Sequence, residues 1–369
     1  MKNNVNYFLR NFDWISCALT IVLSGLGLLF VFSSTYTPAQ PISFFFKKQA
    51  LGYLVGFGLY ALAAIAPVSF ITQWGSWGFV ATLGLLCYTS LLGKVALGGK
   101  RWISLYFFKF QPSELIKLTL PISIGSYFGE SPVNTHPFSS LVSFYHYLAP
   151  LLAIGTSFIL IARQPDLGSG LIVLFMGLTL LWICNISSTF FVTMALLLVM
   201  GAPVLWQNLR PYQKERVMVL LGNGEKQKAR YQIEQATIAI GSGRLTGKGF
   251  MRGTQNKLSF LPEDHTDFIF AVICEEWGFL GACLVILLFI ALFIRLLGAV
   301  IFMTNRFSQT IIFGLVIHII LSTSINIGMV IGLLPIVGIP LPLFSYGITH
   351  TWVTLMSLGL ANNINLRAN

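Results

Sequence analysis

From Trp14 to Ser34 the chain carries no charged side chain, and apolar runs of this kind recur along its whole length. A helix needs about 20 consecutive apolar residues to cross a bilayer's hydrocarbon core. Within lipid each such segment must satisfy its own backbone hydrogen bonds, so these runs are expected to form α-helices. Hydrophobic residues make up 55% of the 369 and charged residues only 9%, a balance that excludes a water-soluble domain. The chain is therefore expected to be an all-α, polytopic membrane protein.

Reading apolar runs between polar or Pro- and Gly-containing breaks places spans at 14–34, 50–67, 74–93, 114–128, 147–163, 168–184, 189–206, 267–302, 308–333 and 341–362, ten in all. The first follows Lys2 and Arg10, as a secretory signal would, but it is too long and Leu28–Phe32 lacks a small-residue cleavage pattern, so it reads as a retained span. The fourth is short and carries Glu114 and Lys117. The eighth is too long for one perpendicular crossing and calls for tilt or a partly exposed first turn. All five cysteines lie in apolar runs, without a CxxC pair, and read as buried free thiols. Residues 1–369 read as one transmembrane domain, with no internal repeat.

Two regions are too polar to span. Gly93–Ser113 holds Lys94, Lys100, Arg101 and Lys109 among aromatics, and a long insertion at about 207–266 separates spans seven and eight. Loops this long are usually functional or disordered, and this one contains a helix-like stretch at Tyr231–Ile240. The net charge of +11 suits a phosphate-bearing or lipid-bound partner. Orientation is open on physical grounds. The Lys and Arg residues between Arg210 and Lys257 would hold the insertion in the cytoplasm, whereas parity from a cytoplasmic N-terminus puts it outside.

Acidic residues are scarce, and five of the twelve fall between Glu263 and Glu276. Thr266 or Asp267 is placed to N-cap the eighth helix, which puts Asp267 at the mouth of the bundle. Capping and chemistry are both open for it. Glu275 and Glu276 lie two turns further in, where a charge needs a partner or water. Structural ion pairing, proton abstraction and divalent-cation binding are all open for these carboxylates. Glu114 and Lys117 are spaced to pair on one helical face, and Asp166 is either an N-cap or a site carboxylate. The loops holding Lys100 and Arg101, Asp166, Asp267 and Ser345 fall on one membrane face, so one site is expected there. Ile240–Gly249 lacks the Gly-Lys-Ser/Thr ending of a phosphate loop and reads as a flexible connection, with Lys248 as the side chain that would meet a pyrophosphate. His265 sits beside the carboxylates without a second His, a weak metal candidate.

Together, Gln164–Gly168, Ile238–Gly243, Gly253–Gln255, Phe260–Glu263, His265–Ala271 and Glu275–Gly278 resemble the SEDS family of cell-shape, division and sporulation proteins over essentially the whole chain. Asn11–Trp14, Tyr212-Gln213 with Arg216, and Gly247–Gly249 leading into Gly253 set it nearer the cell-shape branch than the division branch. The resemblance implies an inverting peptidoglycan glycosyltransferase in the bacterial cytoplasmic membrane, polymerising lipid II during elongation and shape maintenance. It implies an extracytoplasmic site and insertion, resolving the orientation in favour of parity. It maps the essential aspartate of a His-Thr-Asp motif onto Asp267, and the Glu of Gln-Pro-Ser-Glu onto Glu114 with Lys117 as partner. Lys100, Arg101, Asp166, Lys248, His265 and Ser345 complete the expected substrate-binding set.

The implied partners are lipid II, undecaprenyl-pyrophosphate-linked glycan, membrane lipids and a crosslinking class B penicillin-binding protein; no nucleic acid is expected. A divalent cation, Mg2+ or Mn2+, is the candidate cofactor, with its ligands unassigned. Rival readings are a lipid-linked precursor flippase and a non-catalytic scaffold. Two departures from the family pattern fall near the site: Ile348-Thr349-His350 follows Ser345-Tyr346-Gly347 where Gly and Ser/Thr are usual, and Arg244 stands where a third glycine is common.

Overall fold

A computed structural model describes the chain apart from residues 1–9, 11, 97–98, 106–107, 131–140, 223–227, 259, 304 and 369. Helices α1 (Trp14–Thr35), α2 (Phe44–Ile65), α3 (Val68–Leu92), α4 (Pro112–Glu130), α5 (Leu141–Arg163), α6 (Leu167–Ile183) and α7 (Ser188–Asn208) precede the insertion. The insertion folds as α8 (Pro211–Leu220), α9 (Lys228–Gly243) and α10 (Thr254–Lys257), after which come α11 (Ile269–Ile301), α12 (Arg306–Val330) and α13 (Ile348–Ala368).

Every segment expected to span contains a helix. Among the described residues six of these, α1, α2, α3, α5, α11 and α12, are long and apolar enough to cross a membrane, and α6 and α7 are apolar but shorter. Helices α4 and α13 instead bury polar side chains, including Glu114, Lys117, His350, Asn362 and Asn363. On α7, Val199 and Met200 are 73% and 77% exposed, an apolar exterior that lipid rather than water must cover. The molecule is a multi-pass membrane protein.

Two apolar clusters hold the bundle together. One joins α1, α2, α11, α12 and α13 around Phe30, Phe289 and Phe344, and the other joins α3 to α6 around Ile116, Ile154 and Leu180. Buried area of this kind contributes about 25 cal/mol per Å² against water, but between helices in lipid it acts through close packing.

Three expectations are corrected. The fold is not wholly α-helical, because β1 (Lys94–Ala96), β2 (Gly99–Leu105) and β3 (Phe108–Phe110) form an antiparallel sheet in the order β1-β2-β3. Aromatic and β-branched residues such as Trp102, Ile103 and Phe110 favour strands, a signal that a search for long apolar runs passes over. The last helix begins at Ile348, not at 341, since Pro335, Pro340 and Pro342 keep the preceding segment irregular.

The third correction concerns the eighth span, which is broken where tilt was expected. Gly278 takes a left-handed φ of 67° inside α11 and separates a short first piece from the piece that follows. A break in a helix leaves backbone groups without partners, and the insertion supplies them. The amides of Phe279 and Leu280 donate to the carbonyls of Arg244 and Leu245 at 2.8 and 3.0 Å, and those of Lys248 and Gly249 donate to Glu275 and Glu276 at 3.0 and 2.9 Å. The segment read as a flexible connection is thus a fixed strap. Gly247, at φ 76°, lies so close to Gly278 that a Cβ on either would overlap the other's backbone.

Candidate functional site

Asp267 lies in the turn before α11, outside the helix. The helix N-cap position belongs to Phe268 and carries no side-chain cap bond, so neither Thr266 nor Asp267 caps it and the Asp267 carboxylate is left for other work. The turn is held from several sides. Asn326 of α12 donates through Nδ2 to the carbonyls of Asp267 at 2.8 Å and Ile339 at 2.7 Å. Ser345 donates to the Thr266 carbonyl at 2.5 Å and accepts from the Leu341 amide at 2.7 Å. The Tyr346 amide donates to the His265 carbonyl at 2.8 Å, and the His265 ring sits 4.5 Å from that of Phe45 and 5.8 Å from that of Tyr346. Ser345, expected to touch substrate, is buried here as a brace for the turn.

Burial pushes the Asp267 carboxyl up to about 7, and the nearby charge of Glu263 adds to the rise. Arg216 and His265 pull it down, and Asp166 raises it further. Asp166 at the start of α6 and Arg216 on α8 therefore share the electrostatic surroundings of Asp267. A carboxylate that titrates near neutrality is matched to general-base work. Sequence reasoning used Arg216 only as a family marker, because one cation on a basic, polar helix gives no spacing signal of its own.

Asp166 caps α6 with one carboxylate oxygen and binds neighbouring side chains with the other. Its Oδ1 accepts from the Ser169 amide at 3.4 Å, while Oδ2 accepts from Gln111 Nε2 at 2.8 Å and Ser113 Oγ at 3.3 Å. Arg101 of β2 donates to the carbonyls of Gln164, at 2.8 Å, and Pro165, and lies 3.9 Å from Asp166. Lys100 belongs to the same strand, but its side chain lies outside the described residues.

Deeper in the bundle, Lys117 donates to Glu114 Oε1 at 2.7 Å, and His350 Nδ1 lies 2.8 Å from Glu114 Oε2. All three are buried. Next to His350, Thr349 donates to the Lys109 carbonyl at 3.2 Å and accepts from the Gln111 amide at 3.4 Å. The departure at Ile348-Thr349-His350 thus supplies both a partner for Glu114 and a link to the Asp166 group.

Lys248 and Glu275 stand apart from this arrangement. Lys248 Nζ donates to Glu275 Oε1 at 2.6 Å, and the same oxygen accepts from the amides of Thr254 and Gln255 at 2.8 and 3.1 Å. Glu276 accepts from Ser33 Oγ at 2.5 Å. Glu275 thus clasps the insertion to α11, and Glu276 ties α11 to α1. Among the described residues no group of three or more His, Cys, Asp or Glu side chains is placed to hold a metal ion.

Residues 13–369 match the model of the FtsW, RodA and SpoVE family, described as "Cell cycle protein". The chain is 32% identical over 349 residues to the peptidoglycan glycosyltransferase MrdB of Escherichia coli K12, covering 94% of this chain and 92% of that one. It is 33% identical over 366 residues to MrdB of Helicobacter pylori 26695, covering 96% and 90%, and 32% identical over 365 residues to stage V sporulation protein E of Bacillus subtilis, covering 96% of each. Its fold resembles a chain of a peptidoglycan synthase complex, solved for the coordination of polymerization and crosslinking, with a TM-score of 0.82 at 24% identity over 97% of this chain and 98% of that one. The rod shape determining protein RodA of Thermus thermophilus gives a TM-score of 0.72 at 23% identity over 97% of both chains.

Proposed function

The chain belongs to the FtsW, RodA and SpoVE family of cell cycle proteins, and from that membership we infer that it is a peptidoglycan glycosyltransferase that polymerises lipid II with Asp267 as its general base. The observation that carries the assignment of Asp267 is its carboxylate, partly buried at the head of α11 and poised near neutral pH. Asp267 takes the proton from the 4-hydroxyl of an acceptor N-acetylglucosamine. The freed oxygen attacks the anomeric carbon of the donor N-acetylmuramic acid from the opposite side, inverting it, and the bond to undecaprenyl pyrophosphate breaks. An alcohol loses its proton only as the new bond forms, so placement of the base matters more than its strength.

Negative charge grows on the departing pyrophosphate and calls for cations. Arg101, beside Asp166, and Arg216, whose charge acts on Asp267, are candidates, with Lys100 on the same strand as Arg101. The divalent cation expected from the sequence finds no group of three His, Cys, Asp or Glu side chains among the described residues. Asp166, His265 and Ser345 keep the turn and the acceptor side in register, and the Glu114–Lys117–His350 group fixes α4 against α13 behind them.

In this reading the chain is a single transmembrane domain of ten spans in the cytoplasmic membrane. The insertion between α7 and α11 lies outside the cell, with the site beneath it. A class B penicillin-binding protein would crosslink the strands it makes. Lipid II polymerisation by the purified chain with that partner tests the assignment: Asp267→Asn should abolish strand formation, and a variant that still polymerises would remove Asp267 from the chemistry. A flippase or a bare scaffold would form no strands at all.

A further inference from the structure

The turn that carries Asp267 has a second face. There the end of α1, the connector into α2, Lys257, Asp264 and His265 line a cavity of about 340 Å³. That is near the lower end for small-molecule sites, a size for a saccharide unit and not for a whole lipid-linked precursor. The helices on either side of the connector are both long and apolar enough to cross a membrane, so the cavity opens where the bundle leaves lipid. A sugar carried on a membrane-embedded polyprenyl tail is presented at that same level.

Its lining is mixed in a particular way. Thr35 and Ser43 use their hydroxyls on each other at 2.6 Å, and Ser43 also caps α2 at the Phe46 amide. By contrast, Tyr36, Thr37, Gln40 and Lys257 make no side-chain hydrogen bond to any of the described residues, yet all line the cavity. They supply donors and acceptors with little fixed charge, since Asp264 faces the same space as Lys257. Phe45 adds an aromatic ring, 39% exposed and packed on His265. An acyl chain would want none of these polar groups, and an isolated phosphate would want more cations and no carboxylate. Uncharged hydroxyl and amide groups beside one aromatic face suit a carbohydrate.

We propose that this cavity is a carbohydrate subsite that holds an N-acetylated saccharide of the glycan next to the sugar that reacts at Asp267. His265 connects the two, lining the cavity with its side chain while its carbonyl helps fix the Asp267 turn. The subsite rests on the glycosyltransferase reading, and its saccharide belongs either to the growing strand or to the donor lipid.

The test uses the full chain in its membrane-protein complex. In an Asp267→Asn background, which cannot turn over substrate, binding of a soluble N-acetylglucosamine–N-acetylmuramic acid tetrasaccharide is measured by calorimetry, with and without Thr37→Ala/Gln40→Ala. The double change should weaken binding about tenfold, as expected for two lost hydrogen bonds. Gln40→Trp, which fills the cavity from an exposed connector position, should abolish it. In the active complex, shorter strands at unchanged KM for lipid II would assign the site to the growing strand, and a raised KM at unchanged strand length would assign it to the donor. Tetrasaccharide binding indifferent to all these substitutions overturns the subsite, as does weakened binding with neither kinetic change. Polymerisation by Asp267→Asn would instead remove Asp267 from the chemistry, and absence of strands from the unsubstituted complex would overturn the glycosyltransferase reading, each leaving the binding comparison intact.

Discussion

The pH dependence of polymerisation tests the Asp267 assignment most directly. With its carboxyl pushed up to about 7, only about one tenth of the sites carry the base at pH 6, against about nine tenths at pH 8. Polymerase kcat/KM should therefore fall about tenfold over that interval, measured from initial rates of lipid II consumption at constant ionic strength. The limb should also move with its causes. Glu263→Gln removes a repelling charge and should shift it to lower pH, while Arg216→Gln removes an attracting one and should shift it higher. Stability carries the opposite sign to activity. A folded-state value raised from 3.8 to about 7 means that the fold prefers the neutral acid, so this group's contribution declines as pH rises through that window and the full penalty is present above 7. The difference corresponds to at most about 4 kcal/mol, reduced by the partial exposure of the side chain. Asp267→Asn should then raise Tm at pH 8 and leave it unchanged near pH 4 while removing activity. A flat rate profile from pH 6 to 8, or a limb that ignores both Glu263→Gln and Arg216→Gln, would refute the reasoning.

Other substitutions probe the supports of the site. Lys117→Met leaves Glu114 buried with only His350 beside it and should cost about 3–5 kcal/mol, seen as a lower Tm in detergent, while Glu114→Gln/Lys117→Met should recover much of that loss. Lys248→Met should cost less, about 1–3 kcal/mol, because Glu275 keeps its donors from Thr254 and Gln255; faster limited proteolysis within the insertion would report the loosened clasp. Gly247→Ala meets both a left-handed backbone and the Glu276 and Gly278 main chain, so it should give little folded protein by size-exclusion chromatography, whereas Gly241→Ala, with open space around it, should behave as wild type.

How much of this was legible in the sequence depended on whether the signal was local. Apolar length is a property of each segment alone, and helices accordingly occupy every predicted span. Glu114 and Lys117 sit three apart on one helix, so their pairing needed nothing but periodicity. The cap at Asp166 was legible too, but spacing could not show that its second carboxylate oxygen accepts from Gln111, fifty-five positions away. What escaped was non-local. The break at Gly278 is fixed by backbone groups arriving from Arg244 and Leu245, more than thirty positions away, so a single glycine in an apolar run looked like an ordinary tolerated residue. Arg216 likewise became part of the Asp267 surroundings only through the fold of the insertion.

The same distinction explains the two departures from the family pattern. Arg244 adopts φ 51°, a left-handed conformation that glycine enters freely and an arginine enters at about 1–2 kcal/mol, yet its carbonyl still accepts from Phe279. That contact requires only main chain, so the side chain is free to vary so long as the strap's packing absorbs the strain. At Thr349 and His350 the opposite holds, since their side chains bind Lys109, Gln111 and Glu114 directly. His350→Gly would therefore strip a buried carboxylate of one of its two partners, whereas Arg244→Gly would leave every hydrogen bond of the strap in place. Of the two departures, it is the one at the start of α13 whose side chains are tied into the buried polar groups of α4 and β3.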